Sequence, residues 1–245
     1  MNEVASSIKN PKPILQSNIL ISARDDLTRD QRRLVYLFLR KIHKENKWPV
    51  GGKMEFNYKS YAEIFNVCEQ EARDDLRKAI KGLRGKYVRF YEDWDGEKSE
   101  REIDWTTERR SSHVKGRYEI TMNYGLKEYM MPLAANIPFS VLDLDHIAIL
   151  QSNWSQRLYE ALWQWRSTGV FVINDLNILH TRWETPASYQ RYSQFKRRVL
   201  LPAIEEVRKL DILKTLTMVE KTCEKNPRKV IGLQFLFTPF ERNNA

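Results

Sequence analysis

The sequence predicts an α+β fold of two tandem winged-helix units related by internal duplication, each a helix-turn-helix with a β-hairpin attached. Three observations predict it. Residues 15–143 read as helix, strand, helix, helix and a ribbon of strands, residues 144–245 repeat that order, and the last long helix opens on a run of basic side chains. The 245 residues suit one large domain or two small ones, and two units leave residues 1–14, polar and holding Pro11 and Pro13, as a flexible arm.

The first helix starts at Thr28. Thr28 is a capping residue with Gln31 at the reciprocal position, and Asp30 lies in the first turn, where the helix dipole favours an acid. Leu27, Gln31, Leu34, Leu37 or Phe38, and Ile42 follow helical spacing, which predicts Arg32, Arg33, Arg40 and Lys41 on the opposite, solvated side. Pro49-Val-Gly-Gly52 ends the unit. Residues 54–58 alternate like a half-buried strand, 60–67 form a short helix, and 69–83 form a second with Ala72, Leu76, Ala79, Ile80 and Leu83 inward. Strands are predicted over 87–91, 103–109 and 118–123, with the charged segment 92–102 around Asp95-Gly96 as a mobile hairpin tip.

The second half starts with a helix over 155–166 that has Leu158, Leu162 and Trp165 on one face. A strand over 171–173 and a short helix over 175–180, capped by Asn174 or Asp175, come next. A long helix introduced by Pro186 and Ser188 runs to Lys209, and Pro202 inside it predicts a kink or interruption. A strand pair over 213–220 and 229–238 turns at Asn226-Pro227. Laid on one another, the halves match Arg33-Leu-Val-Tyr36 with Arg157-Leu-Tyr159, 56–67 with 171–183, and 71–83 with 193–207.

Hydrophobic residues make up 42% of the chain, enough for a packed core, and the longest apolar runs are about six residues where a membrane span needs about twenty. Residues 1–9 hold no apolar stretch of a secretory leader, and Cys68 and Cys223 are far apart in sequence, so a reducing cytoplasm is the expected location. His43, His113, His146 and His180 lack metal-ligand spacing, and no metal or cofactor is expected. Gly82-Leu-Arg-Gly85-Lys86 has the wrong spacing for a phosphate loop, and no His-x-His pair accompanies a nucleophilic tyrosine. Asp143 and Asp145 have Mg²⁺ chemistry, but capping of the helix over 146–151 is the better reading. No catalytic constellation emerges, and no enzymatic activity is expected.

The net charge of +9 points to a polyanionic partner, and it is unevenly placed: residues 151–245 hold 15 basic and 9 acidic side chains, residues 1–150 hold 26 and 23. The segment from Ser188 to Arg198 carries Arg191, Lys196, Arg197 and Arg198 with no acid, beside Ser188 and Tyr189, which can donate to phosphate. If Phe195 and Val199 face inward, Arg191 and Arg197 point outward and Arg198 lies nearer the core edge. The first-half counterpart, Arg73, Arg77, Lys78 and Lys81, shares its helix with Glu69, Glu71, Asp74 and Asp75, so internal ion pairing competes with binding there. Trp154, Trp163 and Trp165 have core spacing, and burial is expected for them over base stacking.

Ile14-Leu-Gln-Ser-Asn18, Leu27-Thr-Arg-Asp-Gln-Arg-Arg-Leu-Val-Tyr-Leu-Phe38, Tyr61-Ala-Glu-Ile-Phe65, Arg157-Leu-Tyr-Glu160, Ser188-Tyr-Gln-Arg191 and Phe195-Lys-Arg-Arg198 together resemble the iteron-binding, theta-type plasmid replication initiators, in order over residues 14–240. The resemblance implies binding of direct repeats (iterons) in an origin as a monomer, one winged helix in each of two successive major grooves. It also implies help in opening an AT-rich region, loading of the host helicase with the host initiator DnaA, and repression of its own gene as a homodimer on an inverted repeat. Dimers would join through residues 15–143, host chaperones would convert them to monomers, and residues 144–245 would hold the main sequence-specific contacts. By the matching motif Arg191 and Arg197 would read bases, with Lys196 and Arg198 in support. A dedicated repressor of the same fold is the alternative, and a rolling-circle nicking enzyme a more distant one.

Overall fold

The computed structural model of the chain describes residues 13–112 and 116–240. The arm expected over 1–14 lies outside the described residues except at Pro13 and Ile14, which belong to β1 (Pro13–Ser17), an antiparallel partner of residues 139–143. Ile14 is fully buried there, so the chain enters the fold two residues earlier than expected.

After α1 (Asn18–Ser22) and the two-residue β2 (Arg24–Asp25) comes α2 (Arg29–Glu45), the central rod of the first unit. Its capping box forms as read: the Thr28 hydroxyl accepts from the Gln31 amide, and the Gln31 side chain accepts from the Thr28 amide. The solvated face expected for Arg32 and Arg33 does not exist. Arg33 is fully buried, its guanidinium 4.4 Å from the centre of the Phe65 ring and 3.4 Å from Asp30, while Arg32 sits between two carboxylates. Other elements cover α2 on every side from Gln31 to Leu39, so Arg32 and Arg33 find partners in the interior, while Lys44 and Glu45 in the last turn are exposed.

β3 (Lys53–Asn57), α3 (Tyr58–Phe65) and α4 (Glu69–Gly82) follow, with Asn57 and Cys68 capping the two helices. The segment expected as a mobile tip is mostly strand: β4 (Tyr87–Trp94) and β5 (Glu97–Asp104) pair along their full length and turn only at Asp95-Gly96. Arg89 pairs with Glu100 and Glu102 and Arg101 with Glu92, so the alternating charges that read as a loop are cross-strand ion pairs. This hairpin joins β2 in its own sheet. The wing that closes on β3 is the next hairpin, β6 (Thr106–Ser112) and β7 (Arg117–Met122), in the order β3-β7-β6. α5 (Lys127–Met130), α6 (Pro132–Ala135), β8 (Phe139–Asp143) and α7 (Leu144–Ile149) return to the centre, and Asp143 caps α7 through the Asp145 amide.

The second unit repeats the plan with α8 (Asn153–Gln164), β9 (Val170–Ile173), α9 (Leu176–Arg182) and a long helix, then β10 (Thr217–Cys223) and β11 (Asn226–Leu236) in the sheet order β10-β11-β9. Ser152 caps α8 and Asp175 caps α9. The helix expected from Pro186 begins later. A single 3-10 turn (Ala187–Tyr189) precedes α10 (Tyr192–Phe195), which passes through a π-helical turn (Lys196–Leu200) into α11 (Leu201–Val207). Proline at 202 has no N–H and its ring would crowd the carbonyl four residues back, so the widened turn is how the helix accommodates it without breaking. Trp163 is buried as expected, but Trp165 lies beyond the end of α8 and is 46% exposed, which corrects its assignment to the core face.

His180 is buried against the end of α10, its ring 4.4 Å from that of Phe195, and burial holds its pKa below the usual 6.5. A depressed histidine contributes stability that is complete above the unfolded value and lost as pH falls through it. The melting temperature is therefore expected to fall as pH drops below about 6.5, and His180→Phe should flatten that dependence in a pH series of thermal melts.

Candidate nucleic-acid interface

Each helix-turn-helix presents its second helix, α4 or α10–α11, outward beside a wing. In the second unit Arg191 occupies the cap position of α10 and is exposed, and its carbonyl accepts from the Gln194 and Phe195 amides. Phe195, Val199, Leu200, Ala203, Ile204 and Val207 are buried, which turns Arg197 outward as expected. Arg198 is exposed as well, contrary to its expected place at the core edge. The reason is local: the Gln194 side-chain Oε1 accepts from Arg197 at 3.1 Å and from Arg198 at 3.2 Å, drawing both guanidiniums to one point on the outer face. Ser188 is exposed and Tyr189 half-buried in the turn that leads into the helix.

Lys196 differs from its neighbours. Its ammonium lies 2.6 Å from Glu220 on β10, and the Tyr192 hydroxyl donates to the same carboxylate at 2.6 Å. The lysine and the tyrosine hold the Glu220 carboxyl below its usual range, and burial and that carboxylate push Tyr192 upward. The wing strand is thereby pinned to the helix, and Lys196 is partly neutralised.

In the first unit the four predicted residues divide. The Arg73 guanidinium stacks 3.6 Å from the centre of the Tyr58 ring and is half-buried, so it packs the helix against α3. Arg77 pairs with Asp74 at 2.8 Å, the internal pairing anticipated from the sequence. Asp75 turns away to Arg29 on α2, leaving Lys78 and Lys81 exposed on the outer face. Sequence reasoning missed the rest of this surface. A groove of about 560 Å³ between α4 and β6 is lined by Arg77, Lys78, Lys81, Arg84, Arg109 and Arg110. Arg109-Arg110 sits on the wing strand next to a register shift, and Arg84 just past the helix; a basic doublet on a wing strand is the signal that pairs with a basic helix.

Six cations line one open groove, two of them, Arg77 and Arg110, paired with Asp74 and Glu108, so the groove carries a concentrated positive charge that favours anions. Replacing Arg84, Arg109 and Arg110 together with alanine is expected to reduce the slope of log K against log salt for duplex binding by about 2–3, with sequence preference unchanged. Fluorescence anisotropy across a salt series checks this.

The fold and these two surfaces define a double winged-helix protein in which the second helix of each helix-turn-helix carries a basic outer face. The chain belongs to the replication initiator family. The model of its first winged-helix domain, Initiator Replication protein WH1, matches residues 13–163, and that of the second, Initiator Rep protein WH2, matches residues 175–237. An uncharacterized 27.6 kDa protein of Escherichia coli is 28% identical over 204 residues, which span 79% of this chain and 84% of that protein. The Pi initiator protein, crystallised in complex with iteron DNA, has the same fold with a TM-score of 0.74 at 20% identity, covering 95% of this chain and 99% of Pi. Domains 2 and 3 of RctB superpose with a TM-score of 0.54 at 14% identity, covering 96% of this chain and 90% of theirs. No helix among the described residues is long and apolar enough to cross a membrane.

Proposed function

We propose that this protein initiates replication of a plasmid by binding double-stranded DNA at origin iterons as a monomer, with residues 15–143 and 144–245 as its two reading units. The observation that carries the proposal is the pair of basic reading helices, α4 and α10–α11, each beside a wing, in a chain built from the family's two initiator domains. The Pi initiator, the same fold on iteron DNA, supports it. Arg191 and Arg197 read base edges in one major groove, with Arg198, Ser188 and Tyr189 holding phosphates and Lys196, paired with Glu220, supporting them by fixing the wing beside the helix. Arg77, Lys78 and Lys81 engage the neighbouring groove together with Arg84, Arg109 and Arg110, while Arg73 positions the helix.

Several copies on adjacent repeats supply the work of bending and opening the duplex, on the order of a few kcal/mol per site, without ATP or covalent chemistry. The same protein, in the host cytoplasm, then brings the host initiator DnaA and the replicative helicase to the opened strands. As a homodimer joined through residues 15–143 it represses its own gene on an inverted repeat, and host chaperones shift dimer to monomer.

Selection of bound duplexes from a random pool at near-physiological salt tests the reading. The expected motif covers two major-groove segments about one helical turn, or about 10 bp, apart. Supercoiled DNA bearing that motif should stay unnicked in the presence of Mg²⁺. Failure to enrich any motif, or a covalent tyrosyl–DNA product, would overturn it.

A further inference from the structure

We propose that a polar seam joining the two units, made of the partly exposed pair Arg24–Glu184 and the buried quartet Asp25, Arg32, Arg157 and Glu160, fixes the half-site spacing that the protein accepts. The proposal rests on the two-groove reading under Proposed function, and it assigns spacing specificity to residues far from any base.

The seam starts at β2, whose two side chains both cross to the second unit. The Arg24 guanidinium pairs with Glu184, which follows α9 and holds a left-handed backbone at φ 45°. Asp25 accepts from Arg32 at 2.7 Å and pairs with Arg157 on α8 at 2.8 Å, and its backbone carbonyl accepts from Arg157 as well. A second Arg157 nitrogen donates at 3.1 Å to the Arg182 carbonyl, the last residue of α9. Glu160 accepts from the Tyr36 hydroxyl at 2.7 Å and lies 3.4 Å from Arg32. The four side chains of the quartet are no more than 5% exposed, and their charges balance.

These contacts connect one reader to the other. α4 is tied to α2 through Asp75 and Arg29 at 3.3 Å, and α2 to Asp25 through Arg32. Arg24 directly, and Asp25 through Arg157, hold the end of α9, and the short 183–191 connection leads from there into α10. Charged hydrogen bonds are directional and short-ranged, so the seam has one register. Sliding α8 along α2 by one turn, about 5.4 Å, would leave two guanidiniums without a carboxylate in a dry interior. Apolar packing alone would tolerate intermediate positions. On the DNA side, one added base pair moves the second half-site by about 3.4 Å and rotates it by about 35°, and a seam with one register cannot follow.

The test uses duplexes derived from the sequence that the wild-type protein selects, with one or two base pairs inserted or removed between the two protected segments. For wild type, each change is expected to cost about a hundredfold in affinity, because the second reader is lost. Arg24→Gln and Glu184→Gln, at a partly exposed pair whose loss leaves the fold standing, should bind the unaltered duplex and lose less than about tenfold on the altered ones. The double exchange Arg24→Glu with Glu184→Arg should restore the wild-type penalty. Single variants that keep the full hundredfold penalty, or a wild-type protein indifferent to spacing, would overturn the inference and leave the initiator reading intact. A pool that yields no two-segment motif would instead overturn the initiator reading.

Discussion

Asp25→Ala is expected to lower the folding stability by about 3–5 kcal/mol, the largest effect of any single change at the seam. Alanine removes the partner that Arg32 and Arg157 share and leaves two guanidiniums facing one remaining carboxylate, Glu160, in a site that water does not reach. The loss is a burial penalty more than a lost attraction. Replacing all four charged residues with leucine and methionine should therefore cost less than Asp25→Ala alone, a strong non-additivity that urea unfolding of the single and quadruple variants measures. Burial pushes the Asp25 carboxyl up, but Arg157, Arg32 and the Leu27 amide outweigh it and hold it below 3.8. A depressed carboxylate stabilises fully above its unfolded value and ceases to do so as pH falls through its folded one. Its contribution should persist through the histidine transition near neutrality and vanish only below pH 3.8. Asp25→Ala within about 1 kcal/mol of wild type would mean that the seam is hydrated.

Arg197→Ala is expected to weaken binding to the selected duplex by about 1–3 kcal/mol and to relax preference at one base pair, and Arg191→Ala to do the same at a different one. Both side chains are exposed, so neither change should move the melting temperature. Arg197→Lys discriminates between roles. A lysine keeps the charge but cannot take both acceptors of guanine, so it should recover phosphate-type affinity without recovering specificity. Lys78→Ala and Lys81→Ala should by contrast weaken all duplexes alike. If Arg191→Ala and Arg197→Ala both leave the selected motif unchanged, the assignment of α10–α11 as the sequence reader is wrong.

Local chemistry announced much of the fold. Thr28 with Gln31, and Asp143 before 144–149, state where helices start because caps act over three residues. Pro202 marked the site of the irregular turn, though not that the helix would widen there rather than break. What stayed hidden depended on partners distant in sequence. Arg32 reads as a solvent residue on any helical projection, because its acids are Asp25, seven residues back, and Glu160, 128 residues ahead. The charges of 92–102 read as a loop because the pairing of Arg89 with Glu102 exists only once the strands align. In the candidate interface, the basic cluster at 191–198 was legible because it lies in one helix. Arg84, Arg109 and Arg110 were not, since the groove they share with α4 is made by the wing folding back.

The polar character of the seam also decides how the two halves could part. A greasy interface resists separation in proportion to the area uncovered, and so yields by degrees. Ions behave otherwise: half-separated, they lose each other before water can reach them, and fully separated they are hydrated again. Parting the joint at Asp25 therefore means crossing a barrier, with no comfortable half-open position on the way. A linkage of that kind behaves as a latch, so the second reading head would be either locked in step with the first or released from it.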